Sequence, residues 1–573
     1  MSKATRRDLA HAVELHKAGR LADAEKAYAR YLGVHPDDTA ALNNAAAAAL
    51  QIGNPALAIA RFEKLVKLDP RHAHGHSNLG YALIQDGRSE DAVRCLERAV
   101  EIDPTSAMAH NNLGIAYENL FRRADAIGEF ERALALDPRY TDPAANLGEV
   151  FNRDGNTALA RAALNRALAA QPSHVGARAA LASADALDGK LADALAALER
   201  IVASAPRVSR FWETLGSLRS WSGDLVGGEA AFRKALALDS HDQRAWAGIA
   251  AVLLARGDFA RGWRAFEERP DGRFGAASRF GDIPQWDGAR LDGALLVTCE
   301  QGLGDVVQFA RFVPDARKRV RRLIFLVDGT RQSLAPLLAT LSGVDDLCID
   351  VADVATLAER PIARASVLSL PHLLDVRIEA LPGPVPYVSA REERTALWKP
   401  RLGSIPHPRI GLAWAAYARR DIGYVTRQKT VPLSLLAPVI AASSASFVSL
   451  QLGAGGELAR HGELAQRIVD FTADIRDFGD TAAIIAELDL VITSDTSVAH
   501  VAGAMGKPVW MLDRYNTCWR WRLAADRSPW YPTMRIFRQQ KFGDWSWPLA
   551  QLAAALGEIA DASPRHRVAD AQG

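Results

Sequence analysis

Cysteine is scarce in this chain: Cys95, Cys299, Cys348 and Cys518 are the four among 573 residues, and no C-x-x-C pair occurs. Thiols so far apart exclude a cysteine-rich zinc module and a disulfide framework, and they fit a reducing compartment. An excess of either charge is lacking too. The 69 Lys and Arg against 67 Asp and Glu leave a formal net charge of +2, which argues against a dedicated nucleic-acid binder. No uninterrupted apolar run reaches membrane length, and the opening MSKATRRDLAHAVELHKAG holds no apolar core of signal-peptide length. These absences predict a soluble, cytoplasmic protein without a transmembrane segment. The polar end ASPRHRVADAQG predicts a frayed tail over 561–573. The length is far beyond one hydrophobic core, so several domains are expected.

What is present begins with a period. Pro36, Pro70, Pro104, Pro138, Pro172 and Pro206 are each 34 residues apart. The same step recurs at Gly19, Gly53, Gly87, Gly155, Gly189, Gly223 and Gly257, and at the small row Ala24, Ala58, Ala92, Ala126, Ala160, Ala194 and Gly228. Small residues let two helices approach, glycine ends the first helix, and proline stops the second from running on. With Leu79-Gly80, Ala92, Leu96, Ala99 and Pro104 in one unit, the pattern resembles tetratricopeptide repeats. About eight units over residues 5–276 are expected to form an α-helical superhelix.

One more row keeps the step: Asn44, Asn78, Asn112 and Asn146, on the first helix of each repeat. A ladder of amides on the inner surface can grip an extended peptide through donor and acceptor; the alternative is bracing between repeats. Peptide binding is the favoured reading. His72, His74 and His76 alternate along a helix, which spreads them around its axis, so no shared ion is expected.

After Glu268 the pattern yields to RPDGRFGAASRFGDIPQWDGARLDG, rich in Gly, Pro, Asp and Arg, and 277–293 reads as a linker. Beyond it the runs ALLVTC, RLIFLV and SVLSL predict buried strands, with helices over VVQFARFVPDARKRV and QSLAPLLATL between them. A Pro-rich bridge follows, and the series restarts with RIGLAW, SFVSLQL, RIVDFT, LDLVITS and PVWMLD. Two Rossmann-like α/β halves, 294–400 and 401–560, are therefore expected to face each other across a cleft, with ligands beyond the carboxyl ends of their strands.

Two strand ends carry candidate chemistry. In CEQGLGDVVQFARF, Gly302 and Gly304 are read as allowing a tight turn, and Asp305 opens the helix. Asp305 is either a helix cap or a carboxylate base at the cleft edge. A dinucleotide fold, with Asp328 as the ribose acid, is a distant reading because Val307 occupies the place of the third glycine. In LDLVITSDTSVAHVAGAMGKPVWML, Asp495 and Thr496 make the turn after a strand, and His500 lies about one turn into the helix. The free N–H groups at such a helix start can hold a phosphate.

Together GLGDVV and SDTSVAHVAGAMGKPVW resemble the heptosyltransferase-like glycosyltransferases of family 9, over roughly residues 284–552. The resemblance implies a GT-B-type fold, a catalytic aspartate at Asp305, and a D-T-x-x-x-H donor motif at Asp495, Thr496 and His500. It also places a basic residue that meets the donor phosphates at Lys429, in TRQKTVP, with Arg427 beside it. Repeats followed by such a domain also resemble the layout of protein O-GlcNAc transferases. Departures exist: a long AAYARRDIGYVTRQK stretch after Trp414, Leu452 where a lysine is usual, and Cys518 where an aspartate is usual.

No two aspartates stand as D-x-D, so no metal and no cofactor is expected; phosphate charge falls to Lys429, Arg427, helix N-termini and Arg520. Trp519, Trp521, Trp530, Tyr531, Trp545 and Trp547 are expected to pack the C-terminal segment more than to stack a sugar. The expectation is an inverting, metal-independent glycosyltransferase using a nucleotide-diphosphate sugar, with a protein partner on the repeats. The alternative is a non-catalytic tetratricopeptide adaptor with a degenerate transferase domain.

Overall fold

A computed structural model describes residues 3–120, 122–269, 280–381, 383–416, 428–453, 455–521 and 526–562. They divide into two compact units, one up to Leu187 and one from Asp188 onward. Residues 417–427, Arg427 among them, and most of the tail lie outside the described residues.

Among the described residues the first unit holds eleven helices, Lys3–Lys17 to Val175–Leu187, and five more of the same kind open the second, Leu191–Ser204 to Phe259–Glu267. From Leu21–Val34 to Gln243–Ala255, thirteen-residue first helices alternate with fourteen-residue second helices, as in Ala73–Gln85 followed by Ser89–Ile102. The three periodic rows do what their residues allow. The glycine row sits at φ between 69° and 91°, the left-handed conformation that ends a helix at little cost only for glycine. The six alanines of the small row are fully buried. A second size match lies beneath it. A Cβ on Gly80, Gly114, Gly148 or Gly216 would come within 2.4–2.7 Å of Leu96, Phe130, Leu164 or Phe232, the large residue sixteen positions later. Each hairpin therefore closes by fitting a large side chain onto bare backbone.

The second unit continues into two parallel sheets. The first has the order β3-β2-β1-β4, from β1 (Leu291–Thr298), β2 (Val320–Leu326), β3 (Asp346–Cys348) and β4 (Pro361–Ser366). The second runs β10-β9-β8-β5-β6-β7, from β5 (Arg409–Ala413), β6 (Ser446–Ser449), β7 (Ile468–Val469), β8 (Leu490–Ser494), β9 (Val509–Asp513) and β10 (Met534–Arg538). β1, β5 and β8 are almost entirely buried apolar runs, as strands covered on both faces must be.

Four expectations change here. The strand expected at SVLSL lies earlier, at Pro361–Ser366, and Val367–Ser369 turns as a 3-10 helix instead. The Ser366 hydroxyl accepts from Leu368 N (3.1 Å) and so terminates the strand. The supposed linker is partly sheet: β1 starts at Leu291, Gln285 bridges Arg364, and Trp286 N donates to Arg364 O (2.8 Å). The 400/401 boundary falls inside the Glu392–Gly403 helix, which packs on the Phe478–Ala486 helix through Arg394–Asp477 (3.0 Å), Arg394–Asp480 (2.8 Å) and Trp398 Nε1 to Asp480 (3.1 Å). And β3 and β10 are additions to the expected strands; DLC and MRIFR are too short and too charged to show a run.

Most of the C-terminal aromatics pack, as expected, but Trp547 is 42% exposed. Trp521, Trp530 and Tyr531 are essentially fully buried. They enclose the last repeat: Trp263 lies 5.9 Å from Phe309, 5.6 Å from Trp519 and 6.5 Å from Trp530 by ring centroids, and donates from Nε1 to Val376 O (3.1 Å). The final repeat is thus part of the α/β core. Trp263→Ala is expected to cost roughly 3–5 kcal/mol, read as a lowered thermal midpoint of the whole chain. An unchanged midpoint would show the repeat to be merely tethered.

Candidate functional site

Both sheets reverse their strand order at one place, and both sequence motifs fall there. In the first sheet β1 has β2 on one side and β4 on the other; in the second, β5 lies between β6 and β8. The crevice beyond the carboxyl ends at such a switch point is where open α/β sheets bind ligands. β1 leads into the Leu303–Ala310 helix bearing Asp305, and β8 leads into the Ser497–Ala504 helix bearing His500.

The turn after β1 is not made by its glycines. Gln301 takes the left-handed conformation (φ 58°), whereas Gly302 is extended (φ −82°). Gly304 has a different reason. A Cβ there would stand 2.7 Å from His500 Cδ2 and 3.3 Å from Nε2, so glycine is what lets the two motif helices meet. The glycine in GLGD and the histidine in DTSVAH are two sides of one contact.

Asp305 has two partners. Oδ2 accepts from Gly302 N (3.0 Å), capping its own helix, and Oδ1 is paired with Arg520 Nη2. Arg520, expected on a phosphate, is instead spent on protein groups: besides Asp305, its Nε donates to Gln308 Oε1 (2.5 Å) and its guanidinium lies 4.5 Å from the Trp519 ring. Burial works to lower the Arg520 pKa, but the Asp305 and Cys518 side chains outweigh it and raise it above the ordinary guanidinium value.

Across the seam, Lys429 Nζ lies 2.7 Å from Asp495 Oδ2, with side chains 23% and 9% exposed. Burial alone would raise the Asp495 pKa; Lys429, His500 and Arg514 outweigh it and hold the carboxyl well below the usual range. Thr496 is the N-cap of the Ser497–Ala504 helix, yet its hydroxyl makes no cap bond and meets Thr493 Oγ1 instead (3.0 Å). Of the amides at that helix start, Ala499 N donates to Thr496 O (3.1 Å), and the Thr496 side chain caps none of them. Ser494 Oγ, Asp513 Oδ1 and Gln308 Nε2 are buried without a hydrogen-bond partner among the described residues, which a polar ligand or water would satisfy. Leu452, in place of the expected lysine, is 55% exposed.

His500 is buried, and its Nδ1 lies 2.9 Å from the Tyr531 hydroxyl. Burial pushes its pKa down to about 4, outweighing the pull of Asp495. A histidine depressed in the native state favours folding above its unfolded pKa of 6.5, and that contribution is lost as pH falls towards 4. The loss is roughly 3 kcal/mol. The groups whose charge bears on it are Asp495, Arg520, Asp305 and Lys429. Denaturant melts of wild type and His500→Gln between these pH values are expected to show the steeper decline in the wild type; equal slopes would mean His500 does not titrate as described.

The asparagine row makes contacts between repeats, in line with the bracing alternative. Asn78 Nδ2 donates to Asn43 Oδ1 (3.0 Å), Asn112 Nδ2 to Ser77 Oγ (3.4 Å), and Asn146 Nδ2 to Asn111 Oδ1 (3.0 Å). Each reaches the preceding repeat, so these amides brace neighbours; Asn44 sits in the same register on Thr39–Gln51. The His72 imidazole likewise caps its helix, accepting from Gly75 N (2.8 Å). Among the described residues no group of three or more His, Cys, Asp or Glu is placed to hold a metal, and no helix is long and apolar enough to cross a membrane. Sequence reasoning missed Gln308, Arg311 and Tyr387 entirely, since a lone residue of these types carries no pattern.

Comparison with known proteins bears mainly on the repeats. Protein FlbA of Caulobacter vibrioides is 31% identical over 324 residues, 52% of this chain and 52% of that protein. The chain thus spans about half the length of the curated relative it matches. Among solved structures, a thermophilic tetratricopeptide repeat protein in Thermus thermophilus is 27% identical, with TM-score 0.29 over 31% of this chain and 98% of its own. A tetratricopeptide repeat protein from Parabacteroides merdae is 14% identical, with TM-score 0.39 over 44% of this chain and 100% of its own. Family models described as TPR repeat or tetratricopeptide repeat match residues 9–73, 80–120, 107–140 and 145–209. The chain carries tetratricopeptide repeats, which suggest a protein-interaction role.

Proposed function

We propose that the α/β region transfers a sugar, with inversion and without a metal, from a nucleotide-diphosphate donor to an acceptor hydroxyl. The repeats recruit a protein, as acceptor or tether, and the reaction is cytoplasmic. The observation that carries this reading is the Lys429–Asp495 pair at an uncapped helix start, at one switch point, with Asp305 at the other. The diphosphate takes the Thr496 hydroxyl, the helix amides and the Lys429 ammonium. The acceptor oxygen attacks the anomeric carbon, its proton passes to Asp305, and the bond from that carbon to the diphosphate oxygen breaks. The diphosphate leaves with the electron pair, its charge met by the same groups. No cofactor takes part.

A second reading has its own observation. Asp305 is held by Arg520 and by its cap, as it would be in an adaptor that keeps the fold without the chemistry. A panel of nucleotide sugars with the full chain separates the two. The transferase reading expects hydrolysis or transfer with at least one donor, unchanged by a chelator. Absence of turnover together with absence of nucleoside-diphosphate binding leaves the adaptor.

A further inference from the structure

Behind His500 lies a buried relay that the proposed chemistry does not use. Arg311 is 6% exposed. Its guanidinium carbon stands 4.9 Å from the centres of the Tyr387 and Tyr531 rings and 5.4 Å from that of Trp530, and Nη1 donates to Trp530 O (2.9 Å). Nη2 donates to Tyr387 Oη (3.4 Å), and Arg311 also hydrogen-bonds the Tyr531 hydroxyl. Tyr387 spends its own proton on Val307 O (3.0 Å).

The protons can then be counted. The Tyr531 oxygen already meets the Arg311 cation, which disfavours a second N–H pointed at it and favours its acting towards His500 as donor. Its single proton has two destinations: His500 Nδ1 at 2.9 Å, or Tyr387 Oη at 3.5 Å, which already accepts from Arg311. The shorter, unoccupied acceptor wins. Burial raises the Tyr531 pKa well above the ordinary phenol value although Arg311 pulls it down, so the hydroxyl keeps its proton and has it to donate.

We infer that Tyr531, polarised by Arg311, is a positioning residue that locks His500 as the neutral tautomer with its proton on Nε2. The inference rests on the proposed reading only for its use: the Cδ2–Nε2 edge faces Gly304, and a fixed Nε2–H there is a hydrogen-bond donor for an oxygen of the anionic ligand. A neutral donor adds no charge to a seam that already holds Asp305, Arg520, Lys429 and Asp495, and it stays a donor at any pH above the low pKa of the ring.

The test is long-range proton–nitrogen correlation of isotope-labelled histidine in the full chain, with the His500 signal identified by its loss in His500→Gln. The wild type is expected to show Nδ1 as a bare acceptor and Nε2 protonated. Tyr531→Phe keeps the ring and removes the donor. It is expected to shift the tautomer ratio by about tenfold, the bias of one ordinary hydrogen bond. A protonated Nδ1 in the wild type, or an unchanged ratio in a folded Tyr531→Phe, overturns the inference. Should that variant not fold, coupling of the Tyr531 hydroxyl proton to His500 Nδ1 in the wild type decides: present, it supports the lock; absent, it removes it. Inorganic pyrophosphate added to the wild type is expected to move the Nε2–H signal. Binding without that shift ends the donor role, whereas absence of binding counts against the transferase reading and leaves the tautomer result standing.

Discussion

Asp305→Asn is expected to lower the proposed transfer rate by about 100- to 10,000-fold, the usual cost of losing a positioned base. The structure sharpens how this must be measured. The carboxylate accepts from Gly302 N and pairs with Arg520. An asparagine oxygen can keep the cap, but its amide nitrogen then faces the guanidinium, donor against donor. Some loss of stability therefore accompanies the loss of rate and must be separated from it. Asp305→Asn combined with Arg520→Gln replaces the ion pair by two neutral amides, and is expected to recover thermal stability without recovering turnover. Donor affinity, which the proposed reading assigns mainly to the Lys429–Asp495 side, is expected to change little in either variant. Turnover restored by the second substitution would show that Asp305 serves as a structural partner of Arg520 and as nothing more.

Lys429→Ala is expected to have the next largest effect, on stability and on binding together. Its ammonium is the near partner of a carboxylate that is 9% exposed. Removing one member of a buried pair costs roughly 3–5 kcal/mol, and the lower end is expected here because the Arg514 cation remains near Asp495. The pH dependence has a definite sign. In the wild type Asp495 is depressed, so its contribution is present at neutral pH and is lost on acidification. Without Lys429, burial becomes the leading influence and raises the carboxyl, so acid protonates it and relieves the variant. The gap between the two proteins is expected to narrow as pH falls, and Lys429→Ala with Asp495→Asn is expected to regain much of the loss. On binding, a charge-assisted contact is worth roughly 1.5–3 kcal/mol. Calorimetry should therefore show a nucleoside diphosphate weakened by about tenfold or more, and the nucleoside hardly at all. Equal weakening of both would assign Lys429 to the fold.

Local pattern reaches some features and stops at others, for reasons visible in single residues. The repeat glycines are legible because each repeats the same backbone demand, a left-handed φ. Gly304 misleads: it reads as a turn glycine beside Gly302, yet its role is to clear space for a side chain nearly two hundred residues away. The asparagine row is legible as a row, but a repeat period shows only that a position is used again, not which neighbour it meets. Asn78 meets Asn43. The strand at Pro361–Ser366 is hard to see because RAS carries polar residues, while the apolar SVLSL after it gives the stronger signal.

The sequence by itself determined the helical repeats, their number, the change to alternating strands and helices, and the two strand ends that carry the candidate residues. These follow from local sterics and periodic burial, which act within a few turns of chain. Only the tertiary structure decided that Arg520 holds Asp305, 215 positions away, that the Tyr531 hydroxyl meets His500, and that Trp263 joins the last repeat to the α/β core. Such pairings depend on which elements are brought side by side, and no spacing along the chain encodes the direction in which a single side chain will find its partner.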